Sequence, residues 1–165
     1  MKFNIIENFI DPILFSSIRD TTTRDTFFWF YNDFVNHKPC KRFKFTNEIV
    51  KDSNLTHPVF INYLNMVKPV LEKIPHDKLH SVRFNLFTKT NIQEKYLINH
   101  HKENSKIAIL FSNNTDGGIE INHTFIKSSE NKLIEFSSEE EYKIITSTKD
   151  KIFTYLIINW DSKKK

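Results

Sequence analysis

The chain reads as an α+β, mainly β domain, with two helices packed on one face of a β-sandwich or jelly roll. Two observations predict this class. Both segments of helical periodicity fall in the first half, and seven or so short extended runs separated by turn signals follow them. A third observation sets the scale: 165 residues with 16 Phe and 14% aromatics are enough to bury a real core in one domain, residues 1–165.

Residues 3–10 alternate loosely and predict a short strand. Asp11-Pro12 predicts a helix start, with Asp as the N-cap and Pro in the first helical position. Ile10 and Phe15 bracket that cap as a hydrophobic staple. Leu14, Phe15 and Ile18 continue an apolar stripe to about Arg19, where Thr21-Thr22-Thr23 lowers helical preference. The run Phe27-Phe28-Trp29-Phe30-Tyr31 predicts core or sheet packing, and Phe43-Lys44-Phe45 a strand. A second helix is expected from about Pro58 to Ile74, on Phe60, Ile61, Leu64, Val67 and Leu71. Pro69 is expected to kink or loosen it.

From Leu79 the texture changes. Val82, Phe84 and Leu86 alternate with Arg83, Asn85 and Phe87. Lys106–Ser112 reads as a buried strand. Further strands are expected at 119–121, 124–127, 133–136, 142–146 and 152–160, with turns at Thr115-Asp116-Gly117-Gly118 and Ser128-Ser129-Glu130-Asn131.

Composition excludes several classes. The net charge of +4 arises from 24 basic against 20 acidic residues, and Lys163-Lys164-Lys165 supply three of the excess. A solvated tail explains that balance, so nucleic acid is not the expected partner. Cys40 is the only cysteine, which rules out an intrachain disulfide and fits a reducing compartment. The N-terminal run carries Glu7 and lacks a small-residue cleavage site, so no signal peptide is expected. No apolar run reaches the roughly 18 residues of a membrane span. The expected location is the cytoplasm, or a virus particle if the source is viral.

The richest stretch for chemistry runs from Tyr96 to Ile121. His101-Lys102-Glu103 sets an imidazole and a carboxylate two residues apart, which on an extended backbone project to the same face and can reach one metal ion. Gly117 and Gly118 are the only glycines in the chain. In so glycine-poor a sequence they are expected where backbone geometry or close approach demands them.

Taken together, several segments resemble the small 2-oxoglutarate/Fe(II) oxygenases of marine bacteriophages and their hosts, relatives of prolyl 4-hydroxylases. They are Asn8-Phe9-Ile10, Phe28-Trp29-Phe30-Tyr31-Asn32, Val70-Leu71-Glu72-Lys73 with Arg83-Phe84-Asn85-Leu86, Ala108-Ile109 with Asn113, Asp116, Gly117 and Gly118, and Asn131 to Phe136. The resemblance runs nearly end to end. It implies a double-stranded β-helix, cupin-like, with N-terminal helices on one sheet, and a cofactor pair of Fe(II) and 2-oxoglutarate. Such enzymes hold iron with two histidines and a carboxylate.

Carried onto this chain, the implied metal ligands are His101, Glu103 and Tyr142. Glu103 replaces the family's Asp, and Tyr142 falls where the second histidine is expected. The family's Arg that clamps the co-substrate falls near Phe153, leaving Lys151, two residues earlier, as the available charge. Asn85 is a candidate hydrogen-bond donor to the co-substrate, and Asn159 matches a late family Asn. No purely catalytic residue is assigned.

Two functions follow from this altered pattern. One is a dioxygenase that hydroxylates an unknown substrate. The other is a catalytically inactive protein of the same fold, acting as a binding or structural component through a protein partner or in a virion. No membrane partner is expected.

Overall fold

The computed structural model describes residues 3–35, 38–98 and 103–162. In chain order the elements are β1 (Phe3–Ile6), α1 (Pro12–Thr22), β2 (Phe30–Val35), β3 (Lys38–Lys51), β4 (Asn54–Leu55), a 3-10 turn (Pro58–Phe60) and α2 (Ile61–Lys73). Strands then follow without further helix: β5 (His76–Thr88), β6 (Lys95–Ile98), β7 (Lys106–Phe111), β8 (Gly118–Ile121), β9 (Thr124–Lys127), β10 (Leu133–Ser137), β11 (Tyr142–Ile145) and β12 (Ile152–Ser162).

The larger sheet runs β1-β10-β7-β12-β5-β3-β2, with β4 beside β3, and the smaller runs β6-β11-β8-β9. These neighbours pair antiparallel. The arrangement is a double-stranded β-helix with helices on the outer face of its larger sheet, as the sequence predicts.

Strand β12 shows why these segments read as continuous apolar runs. Phe153, Tyr155 and Ile157 join the core between the two sheets, while Leu156, Ile158 and Trp160 join the core under the helices. A strand covered on both faces has no solvent face to alternate toward. Strand β7 behaves alike, with Ile107, Ile109 and Phe111 inward and Ala108 and Leu110 toward the helices.

Local chemistry sets the helix ends. Asp11 accepts from Ile13 N at 2.8 Å and Leu14 N at 3.4 Å, and Ile10 and Phe15 are both buried. Helix α1 continues past Arg19 to Thr22 because the Thr22 and Thr23 hydroxyls donate to the Arg19 carbonyl, at 2.9 and 3.2 Å. Helix α2 begins three residues later than expected, since Pro58–Phe60 form the 3-10 turn, and it runs through Pro69 as one helix. The carbonyl that loses its N–H partner there belongs to Asn65, which is exposed to solvent. The 27–31 aromatic run divides. Phe27 is buried against Trp29, Tyr63 and Phe84, whereas Phe28, Phe30 and Tyr31 are exposed.

Neither glycine has a left-handed backbone. Close approach is the reason for both. A Cβ on Gly117 would lie 2.7 Å from the Ile145 carbonyl oxygen, and one on Gly118 would press into the Ile126 carbonyl of the paired strand. Gly118→Ala should therefore destabilise by about 1–3 kcal/mol as β8 and β9 are forced apart. At roughly 2–4 °C per kcal/mol for this size, thermal denaturation reads the loss directly. An unchanged midpoint would mean that the small sheet yields without cost.

Candidate functional site

The space between the sheets, where a metal centre of this fold would be sought, is lined by large side chains. Phe153 is fully buried there, 5.9 Å from Phe111 and 5.3 Å from Tyr155 between ring centroids. Phe87 stacks between Tyr155 at 6.5 Å and Tyr96 at 5.5 Å. Across the interior, Tyr142 of β11 meets Phe136 edge-on at 5.0 Å. Ile107, Ile109, Ile119, Ile121, Ile144 and Ile157 belong to the same core.

The sequence-derived candidates are dispersed over this frame. His101 lies outside the described residues. Glu103 is exposed in the turn before β7 and lines an open cleft of about 540 Å³ together with Glu139, Glu140 and Glu141. Tyr142 is buried, paired with Ile98 on one side and Ile121 on the other. Burial raises its phenol pKa well above the ordinary value, the nearby Tyr155 adds to this, and Arg83 opposes it. Lys151 is exposed just before β12 begins, whereas Phe153, two residues on, points into the core. Asn159 belongs to a different network: its amide donates to Ser105 Oγ at 2.6 Å and to the Lys106 carbonyl at 3.0 Å.

Asn85 lies on the inner face of β5, opposite Tyr155. It is 1% exposed, lies between Thr46 of β3 and Tyr155 of β12 in register, and neither Oδ1 nor Nδ2 has a hydrogen-bond partner. Two residues that sequence reasoning missed share its surroundings. Arg83, two positions back on the same strand face, has a buried Nε without a partner. Lys44 of β3 is 8% exposed, and burial together with nearby Arg83 lowers its pKa to about 7 against the opposing pull of Glu48. A charged residue in every second position of a strand ordinarily signals solvent. Here that face looks into the barrel.

The turn that carries the resemblance after β7 has a structural role. Asp116 accepts from Ser147 Oγ and Thr148 Oγ1 at 2.5 Å each, from Thr148 N at 3.0 Å and from Lys149 N at 3.2 Å. Partial desolvation raises its pKa, but these hydrogen bonds outweigh it and hold the carboxyl well below the usual carboxylate range. Asn113 ties the same region to β12, donating to the Ile152 carbonyl at 2.8 Å and accepting from Thr154 N at 3.0 Å.

No family model matches the chain, and no curated protein matches it. Solved structures do. An oxidoreductase of the 2OG-Fe(II) oxygenase family from Burkholderia pseudomallei superposes with TM-score 0.66 at 10% identity, covering 96% of this chain and 84% of that one. A Pseudomonas putida prolyl-4-hydroxylase gives 0.60 at 10% identity, over 98% and 93%. A Trichoplax adhaerens prolyl hydroxylase, solved with a hypoxia inducible factor peptide fragment, gives 0.64 at 9% identity, over 97% and 84%. The chain has the fold of these oxygenases, and at such identities the fold is what the likeness establishes.

Proposed function

We propose that the protein is a catalytically inactive member of the 2-oxoglutarate/Fe(II) oxygenase fold that acts as a binding protein. The carrying observation is Phe153. Where the resemblance expects the co-substrate's Arg, a fully buried phenyl ring packs against Phe111 and Tyr155.

The described donors do not fit an iron centre. Tyr142 would have to ionise in an aromatic core that raises its pKa, and Glu103 lies in an exposed turn among further carboxylates. Lys151, a point charge at the surface, has no guanidinium fork to replace the missing Arg. A shared fold does not carry an activity whose site residues have changed.

The test is 2-oxoglutarate turnover. Supplied aerobically with Fe(II), a reductant and 2-oxoglutarate, the protein should release succinate no faster than a protein-free control. Succinate formation that disappears in His101→Ala would return the dioxygenase reading.

A further inference from the structure

Among the described residues, the largely apolar barrel interior holds a cluster in which buried polar atoms of Arg83 and Asn85 are left unmatched. Asn85 and Arg83 project from the inner face of β5, about 7 Å apart along the strand. Lys44 approaches from β3, close enough to Arg83 for the guanidinium to disfavour the charge on Lys44. The Tyr142 and Tyr155 hydroxyls lie within the electrostatic reach of Arg83. Glu48 balances one of the two positive charges, so the cluster retains one unit of positive charge when Lys44 is protonated. Arg83 is itself only partly buried, so the cluster reaches the surface.

Orphaned buried polar atoms are costly and are normally paired. Arg83 Nε–H and Asn85 Nδ2 need an acceptor, while Asn85 Oδ1 needs a donor. A bare anion meets only the first need. A carboxylate with a hydroxyl or amino group beside it meets both, and its charge matches the cluster's excess.

We propose that Lys44, Arg83 and Asn85 form a metal-independent binding site for a small hydroxy- or amino-carboxylate. This deepens the binding-protein reading and rests on it. The carboxylate bonds to Arg83 Nε and Asn85 Nδ2, the adjacent O–H or N–H donates to Asn85 Oδ1, and Lys44 contributes charge.

Calorimetric titration of the chelator-treated protein with glycolate, glycine and acetate at constant ionic strength tests this. Glycolate or glycine should bind about tenfold more tightly than acetate, and which of the two binds tells a hydroxy acid from an amino acid. Asn85→Leu should abolish the advantage over acetate. Because it replaces unpaired polar atoms with an apolar group of similar size, it should also raise the thermal midpoint of the ligand-free protein, which separates lost binding from misfolding.

The site is refuted if none of the three probes binds, if acetate binds equally well, or if Asn85→Leu binds as wild type does. Silence of all three probes with and without metal would overturn the site and leave the inactive-fold reading intact. Binding that requires Fe(II) or Mn(II) would overturn both.

Discussion

Phe153→Ala is expected to destabilise the protein by about 3–5 kcal/mol, the cost of deleting a fully buried phenyl ring. The ring is 0% exposed and lies between Phe111 and Tyr155 on the inner face of the central strand. Phe111 and Tyr155 are fixed on paired strands of the larger sheet and cannot close the gap, so most of the cavity term should persist. Phe153→Arg, which restores the residue that the resemblance expects, should be at least as damaging, because it introduces a cation into a space already filled by aromatic rings. Urea denaturation measures both. If Phe153→Arg were neutral and brought 2-oxoglutarate binding with it, the interior would be a site rather than a core.

Lys44→Met should do the opposite and stabilise the protein at pH 7 by on the order of 3 kcal/mol. Lys44 loses a proton near pH 7 in the folded state but near 10.4 when unfolded. Between those values the unfolded chain holds a proton that the folded chain does not, so wild-type stability rises with pH across the window and levels off above it. Below pH 7 the penalty is present in full. The advantage of Lys44→Met should therefore be full below pH 7, still large at neutral pH, and shrink toward pH 10. Glu48 is only half-buried, so solvent should hydrate its carboxylate when its partner is removed. Chemical denaturation at pH 7 and pH 10 gives both differences. An equal gain at both pH values would show that Lys44 stays charged in the fold, and a loss at pH 7 would show that its attraction to Glu48 prevails.

Much of the architecture is legible in the sequence because its signals are local. Asp11-Pro12 caps a helix whatever surrounds it, and the continuous runs at 106–112 and 152–160 can be satisfied only between two covering layers. The elements that escape are those whose sense depends on partners. Strand β6, only Lys95–Ile98, lies within a polar stretch and becomes a strand by pairing with β11. Strand β3 extends over Lys38–Lys51 although charged residues recur along it.

The candidate site shows the same limit. His101-x-Glu103 is singled out by its spacing and by resemblance, and Tyr142 and Asn85 by resemblance. Lys44 and Arg83 carry no such signal, because a period of two separates the faces of a strand without saying which are wet. Only the second sheet makes that face an interior. Phe153 is visible as a substitution, but its packing against Phe111 depends on the register of β12 against β7.

The most direct measurement is anaerobic calorimetric titration of the metal-free protein with Mn(II), with and without 2-oxoglutarate, alongside His101→Ala. A buried Phe153 in place of the expected Arg predicts no tightening of metal binding by 2-oxoglutarate and no difference between wild type and variant. Metal binding that strengthens with 2-oxoglutarate and vanishes in His101→Ala would contradict the account and make the protein a working oxygenase.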